Sequence, residues 1–320
     1  MLLILLYLVV ASAVVWASIR ASHYIDLIDR TTKLSGAFLG GVLLSAVTSL
    51  PELFTSLSAT LVLHKPSLCI SNILGSNLFN VAMLATVMLC CIRNAGRLRS
   101  GKGNLVVAIY VALIYAVMGL DYFGILHFEL GTVNIITFIF IFIYILAVRH
   151  LSGETSAEPE AGEEQQPVTL SLNAIIVRFV LASIAIIVLS IAMTYITDAV
   201  AGKYNIGQGL AGALMLGVAT SLPEVSSTIA LFRMKNYDIA VGNIVGSNLF
   251  NFMVLCIADI ASYKTSVYVY NEDPKVVSLL FFGAIASVIV VPMLFVRNRI
   301  FKVVCTLAII ACYLLFLLLK

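Results

Sequence analysis

The pentapeptide Thr-Ser-Leu-Pro-Glu at residues 48–52 returns unchanged at residues 220–224, and this repetition decides the fold. A second motif, Gly-Ser-Asn-Leu-Phe-Asn, occupies residues 75–80 and returns at residues 246–251. The first pair is offset by 172 residues and the second by 171, so both motifs keep their order and nearly their spacing. Identities of this length do not arise in this arrangement by chance. The sequence is therefore predicted to be an internal duplication.

The composition predicts that the duplicated chain lies in a lipid bilayer. Of its 320 residues 61% are hydrophobic and only 11% are charged, with a mean hydropathy of +1.08. Soluble domains carry about 25% charged residues, so this inventory cannot cover a water-facing surface. The net charge of +3 is too small and scattered to indicate a nucleic-acid partner. No spacing of Cys or His residues matches a metal or catalytic motif, so neither a cofactor nor an enzymatic activity is predicted.

Ten segments of the chain are long and apolar enough to span a bilayer, which takes about 20 residues per helix. They lie at about residues 2–19, 34–62, 69–92, 103–120, 131–149, 173–196, 206–232, 238–262, 277–296 and 300–319. The second and the seventh are too long for one straight helix, and their middles contain Pro51 and Pro223. Proline inside a helix removes a backbone hydrogen bond and clashes with the preceding turn, so both spans are predicted to be broken.

The predicted fold is an all-α integral membrane protein with ten transmembrane helices in two inverted-topology five-helix repeats. Each half contains an odd number of spans, so the second half lies upside down relative to the first, as in many secondary transporters. The repeats are expected at residues 1–150 and 172–320, and residues 151–171 form an acidic linker between them. With the N-terminus outside, fourteen of the nineteen Lys and Arg residues lie on the cytoplasmic side. Both termini are therefore expected outside the cell membrane and the linker inside.

The repeated motifs place two carboxylates, Glu52 and Glu224, at the predicted midplane of the membrane. No other acidic residue is expected so deep, and an intramembrane carboxylate is a functional hypothesis by default. Further oxygens share helix faces with these carboxylates, in the stripes Ser45, Ser49, Glu52, Ser56; Gly217, Ser221, Glu224, Thr228; Asn72, Ser76, Asn80; and Asn243, Ser247, Asn251. Such stripes also serve as helix-packing contacts, which is the alternative interpretation.

Together these groups form a set of hard oxygen ligands without thiolate or imidazole. Such a set suits Ca²⁺, Na⁺ or Mg²⁺, and a dehydrated site favours Ca²⁺ because Mg²⁺ gives up its water reluctantly. Two carboxylates neutralise one Ca²⁺, and the same oxygens can hold several Na⁺ instead. Competition between the two cations for one site is sufficient for antiport.

The paired motifs resemble the α-repeats of the sodium/calcium exchanger family within the Ca²⁺/cation antiporter superfamily, and the short linker resembles its microbial members. The resemblance implies Na⁺/Ca²⁺ antiport by alternating access, with the first and sixth helices as the gate and a monomer as the functional unit. It also implies a role for each matching residue. Glu52 and Glu224 would be the carboxylates shared by both cations, and Thr48 and Thr220 would provide oxygens to Ca²⁺. The Na⁺ sites would be completed by the hydroxyls of Ser49, Ser76, Ser221 and Ser247 and the carbonyls of Ser45 and Gly217. The centre would be lined by Asn80 and Asn251.

The sequence departs from the family pattern at a few positions. Val47 and Ala219 precede the two threonines where the family usually has glycine, and Ser71 replaces the glycine of a Gly-Asn pair. Asn251 stands where some relatives have aspartate, an acidic residue that goes with potassium-dependent or proton-sensitive members. Its absence favours simple Na⁺/Ca²⁺ exchange. An H⁺/Ca²⁺ exchanger and a passive cation channel remain the alternative functions.

Overall fold

The computed structural model describes residues 2–91, 101–126, 128–153, 168, 170–203, 220–263, 265–270 and 274–319. In chain order its helices are α1 (Leu2–Thr31), α2 (Gly36–Thr48), α3 (Leu50–Val62), α4 (Pro66–Cys90), α5 (Lys102–Tyr122), α6 (Ile135–Ser152), α7 (Leu172–Lys203), α8 (Leu222–Arg233), α9 (Tyr237–Ala261), α10 (Pro274–Phe295) and α11 (Arg299–Leu318). One short antiparallel hairpin, β1 (Glu129–Leu130) with β2 (Val133–Asn134), precedes α6.

The described helices confirm the prediction of an all-α, multi-pass membrane protein. Eight of them are each long and apolar enough to cross a bilayer, and the bent pair of α2 and α3 makes up to nine spans in the described part of the chain. Helix α8 covers the C-terminal half of the predicted seventh span. The first half of that span, at residues 206–219, lies outside the described residues.

Helices α1 and α7 extend beyond the predicted membrane spans, which end at about residues 19 and 196. Helix α1 continues to Thr31 and α7 to Lys203. Past the apolar run of α1, the buried residues Ala21, Ile25 and Ile28 follow one another at helical spacing, so packing against the protein maintains the helix. Hydropathy identifies the apolar part of a helix. The extension of α1 packs against protein and contains too many polar residues to be identified in this way.

The break in the second predicted span lies at Ser49, two residues before the proline. Ser49 has φ −90° and ψ 5°, and α2 and α3 meet there at an angle of 41°. Pro51 therefore occupies the first turn of α3, where its missing N–H costs no helical hydrogen bond. Ser221 has nearly the same backbone angles, φ −89° and ψ 4°, and Pro223 stands in the first turn of α8. Each proline thus lies at the start of a helix, whereas the sequence analysis expected it to disrupt the middle of a continuous helix.

Helices α4 and α9, which carry the Gly-Ser-Asn motifs, form the centre of the molecule. They pack against each other, and α5, α6, α10 and α11 surround them. Helix α2 approaches α9 so closely that a methyl group added at Gly246 would overlap the backbone of Gly41, and one at Gly40 would overlap that of Ile239. Helices α1 and α7 pack along each other at the edge and contact the rest through α2, α3 and α8.

Candidate cation-binding site

Glu52 and Glu224 lie in the first turns of α3 and α8, and both side chains are completely buried. Each carboxylate accepts a hydrogen bond from a serine of the other motif copy. Ser221 Oγ donates to Glu52 Oε1 at 3.2 Å, and Ser49 Oγ donates to Glu224 Oε1 at 3.0 Å. Ser49 lies at the break between α2 and α3, and Ser221 directly precedes α8, so the starts of α3 and α8 bring the two carboxylates and their donors together.

Hydroxyl groups from both halves surround the carboxylates. Ser76 Oγ on α4 donates to Glu52 Oε1 at 3.5 Å, and Thr220 also interacts with this carboxylate. Thr48 interacts with the carboxylate of Glu224, and its Oγ1 lies 3.4 Å from Ser247 Oγ on α9. The structure therefore brings the two threonines, the four serines and the two glutamates of the prediction to one place.

Four asparagine side chains join α4 to α9 at the centre of this place. Asn251 Nδ2 donates to Asn77 Oδ1 at 2.8 Å, and Asn80 Nδ2 donates to Asn248 Oδ1 at 3.1 Å. Asn77 and Asn248 also donate to each other's backbone carbonyls, at 3.4 and 3.0 Å. These bonds use the amide N–H groups of Asn80 and Asn251 and thereby fix which way each amide points.

The sequence prediction included Asn80 and Asn251 but missed Asn77 and Asn248. Both missed residues belong to the repeated six-residue motif, which was the available signal. They lie one position after Ser76 and Ser247, off the helix face that carries the polar stripe, and for that reason the spacing argument passed them over.

Four buried oxygens at the site have no hydrogen-bond partner among the described residues. They are Glu52 Oε2, Glu224 Oε2, Asn80 Oδ1 and Asn251 Oδ1, two from each motif pair. An unpaired oxygen in a protein interior costs about 1–3 kcal/mol or more if charged, so such groups in native proteins are nearly always paired with protein, ordered water or an ion. Carboxylate and amide oxygens are the ligands that Ca²⁺ and Na⁺ accept. The arrangement can therefore hold a hard cation.

The outer members of the polar stripes bond helix to helix. Asn72 Nδ2 donates to Ser56 Oγ at 3.2 Å, and Asn243 Nδ2 donates to Thr228 Oγ1 at 3.1 Å. These equivalent bonds join α3 to α4 and α8 to α9. These outer residues therefore make helix-packing contacts, which was the alternative interpretation of the stripes.

Of the two predicted carbonyl ligands, Ser45 and Gly217, the structure describes Ser45. The carbonyl of Ser45 accepts hydrogen bonds from the Ser49 N–H at 3.0 Å and from Thr48 Oγ1 at 3.3 Å. Gly217 lies outside the described residues.

Asp259, near the end of α9, shows how a structural carboxylate differs from the two glutamates. It is fully buried, and it accepts hydrogen bonds from the backbone of Asn134 and Val267 and from the hydroxyls of Thr137 and Ser266, at 2.7–3.0 Å. Both of its oxygens are thus paired, which leaves no lone oxygen for a ligand. It joins the β2 segment to the loop after α9.

Comparison with known proteins places the chain in a family. The sequence model described as "Sodium/calcium exchanger protein" matches residues 2–151 and 174–320. "Inner membrane protein YrbG" of Escherichia coli is 26% identical over 249 residues, covering 76% of this chain and 74% of that protein. "Sodium/calcium exchanger MaX1" of Methanosarcina acetivorans is 24% identical over 265 residues, covering 68% and 71%. The solved structure of the sodium-calcium exchanger NCX_Mj soaked with 100 mM Na⁺ and 10 mM Sr²⁺ superposes with a TM-score of 0.75 at 19% identity, covering 100% of this chain and 99% of that one. The chain belongs to the sodium/calcium exchanger family.

Proposed function

We propose that the protein exchanges Na⁺ for Ca²⁺ across the cell membrane, holding either cation between Glu52 and Glu224. The observation that carries this proposal is the set of four partnerless oxygens, which the two motif pairs contribute symmetrically. The two carboxylates balance the charge of one Ca²⁺, and the amide oxygens of Asn80 and Asn251 add neutral ligands. Family membership supports cation antiport, and the oxygen-only donor set supports Ca²⁺ and Na⁺ as the exchanged ions.

The neutral ligands divide between the two cations in this proposal. Thr48 and Thr220 add oxygens to Ca²⁺ beside the helix breaks. The flanking Na⁺ sites use four serine hydroxyls and two backbone carbonyls, from Ser49, Ser76, Ser221, Ser247, Ser45 and Gly217. Because the carboxylates belong to both sets, Na⁺ and Ca²⁺ exclude each other.

The proposed architecture has ten spans in two inverted repeats, at residues 1–150 and 172–320, with the linker at 151–171 and both termini outside. Paired contacts support it. The bond of Ser221 to Glu52 has its counterpart in that of Ser49 to Glu224, and the bond of Asn72 to Ser56 has its counterpart on α8 and α9. Such pairing is expected of two halves related by a two-fold axis in the membrane plane. The functional unit in this proposal is a monomer.

Alternating access is proposed to occur by sliding of α1 and α7 as a unit. These helices pack along each other at the edge of the molecule, and they border α3 and α8, which carry the two glutamates. Their outer faces expose large apolar side chains such as Leu8 and Leu181, which suit contact with lipid during movement. The central helices α4 and α9 hold the four hydrogen-bonded asparagines described above, which we call the asparagine ring, and stay in place.

The test is uptake of Ca²⁺ into proteoliposomes loaded with Na⁺ or with K⁺, using the wild type, E52Q and E224Q. We expect uptake that requires internal Na⁺ and is lost in both variants, because glutamine removes the charge that balances Ca²⁺. The matched control is E129Q, since Glu129 is exposed in β1 and away from the site. Uptake that is equal in Na⁺-loaded and K⁺-loaded vesicles contradicts Na⁺ coupling, and retained uptake in E52Q contradicts the site.

Proton coupling is a second candidate because each buried carboxylate keeps one oxygen free, which a proton can occupy as readily as a cation. Uptake of Ca²⁺ driven by a pH jump in the absence of Na⁺ identifies this mode. Exchange of three Na⁺ for one Ca²⁺ moves one net charge, so Na⁺-driven flux is also expected to respond to membrane voltage.

A further inference from the structure

An apolar groove with a basic end opens between α1 and α8, and none of its lining residues is a predicted cation ligand. It holds about 580 Å³. Its apolar part is formed by Val15 and Ile19 on α1 and by Leu222, Val225 and Ile229 on α8. The spacing of these residues places them on one face of each helix, so the groove runs along both. We refer to it as the α1–α8 groove.

Three basic side chains line one end of the α1–α8 groove, namely Arg20, His23 and Arg233. All three are exposed. Arg20 stacks over the ring of Trp16 at 5.5 Å, and neither Arg20 nor Arg233 forms an ion pair with a described residue. The groove therefore ends in two guanidinium groups that form no ion pair with a described carboxylate.

The contacts between α1 and α8 explain why the basic groups gather at the same end. Ser22 Oγ on α1 donates to the Ser227 carbonyl on α8 at 3.3 Å. Nearer the C-terminal ends of both helices, Asn236 Nδ2, just past α8, donates to Asp26 Oδ1 on α1 at 2.9 Å. Contacts that advance together show that the helices run side by side in one direction. The C-terminal end of α8 thus meets α1 just past its apolar run, on the side where the sequence predicts the cytoplasm.

We propose that the α1–α8 groove binds an anionic phospholipid of the bilayer. An acyl chain fills the apolar part, and the phosphate lies at the basic end. A guanidinium group donates paired hydrogen bonds to phosphate oxygens, and basic residues at the cytoplasmic surface attract anionic lipids. A zwitterionic lipid fills the apolar part equally well but leaves the positive charge of the groove uncompensated. Charge complementarity therefore selects the anionic lipid, whatever ions the protein transports.

The chain contains its own reporter, because its single tryptophan is Trp16. This residue is 60% exposed and touches Arg20 at the groove. The full chain is reconstituted into vesicles of phosphatidylcholine with phosphatidylglycerol as the minor component, and one lipid at a time carries brominated acyl chains, which quench tryptophan fluorescence. We expect brominated phosphatidylglycerol to quench more than its mole fraction predicts, with a preference of about fivefold from each arginine.

Substitutions on the other helix separate the groove from general surface charge. R233Q leaves Trp16 and Arg20 untouched and is expected to lower the preference about fivefold, whereas R233K keeps the charge and most of the preference. R299Q removes the same charge from the start of α11, outside the groove, and is expected to change nothing. Quenching in proportion to mole fraction overturns the proposal, as does an equal loss in R299Q. Absence of quenching by either lipid also overturns it, because the groove is then covered by protein, either another segment or a second copy.

Discussion

Replacement of Asn77 by leucine tests whether the asparagine ring sets the cation ligands. Asn77 Oδ1 accepts the 2.8 Å hydrogen bond that holds the amide of Asn251, and among the described residues Asn77 forms no hydrogen bond with either glutamate. In N77L the Nδ2 of Asn251 loses its buried acceptor, which costs about 1–3 kcal/mol. The amide regains a partner by rotating, and this turns its Oδ1 away from the site. Loss of such an orienting bond typically weakens metal binding about 10–100-fold.

The assay is the Ca²⁺ concentration that half-saturates Na⁺-driven uptake in proteoliposomes. For N77L we expect this concentration to rise about 10–100-fold, and N248L should match it, because Asn248 holds Asn80 in the same way. The control is N72L on the same helix, which loses only the bond to Ser56 and should leave the concentration unchanged. Wild-type Ca²⁺ dependence in a folded N77L, or an equal rise in N72L, refutes the reasoning.

Three further predictions concern the remaining contacts. S49A and S221A each remove one hydrogen bond to a buried carboxylate, worth about 1.5–3 kcal/mol. Each should raise the Na⁺ concentration that half-saturates uptake more than the Ca²⁺ concentration that does so. Unequal effects of the two variants contradict the symmetric roles. G246A should lower the free energy of unfolding by about 1–3 kcal/mol because its methyl group overlaps α2, whereas G75A, with nothing within 4 Å, should not; thermal unfolding in detergent measures both. D259N should lose about 2–6 kcal/mol in the same assay, because an amide cannot accept from all four buried donors, while the Ca²⁺ dependence of the folded fraction stays at the wild-type value.

The sequence predicted the parts of the site that repeat along one helix face. Glu52 and Glu224 follow from the rule that a buried charge in a membrane needs a function, and Ser76 and Asn80 follow from their spacing on α4. The duplication supported these assignments, because each candidate residue in one half has an equivalent residue in the other half. These inferences needed no knowledge of which helices touch.

What the sequence missed depends on contacts between the halves. Asn77 and Asn248 orient their partners across about 170 residues of chain, and no local period marks them. The exact break was missed because Ser49 is an ordinary serine in the sequence, and its residue type does not mark its non-helical angles. The true length of α1 was missed because its last turns face protein, where hydropathy carries no signal.

The exchange of serines between the two motif copies makes the environment of each glutamate depend on how both halves enter the bilayer. Each buried glutamate accepts a hydrogen bond from the serine that precedes the Leu-Pro-Glu segment of the other half, so neither half supplies all the donors to its own carboxylate. If one half inserts into the bilayer in the wrong orientation, Ser49 and Ser221 no longer face the opposite glutamates. Each carboxylate then loses the hydroxyl donor that the opposite half supplies in the folded protein. Correct insertion of both halves is therefore a condition for the hydrogen bonding of each glutamate.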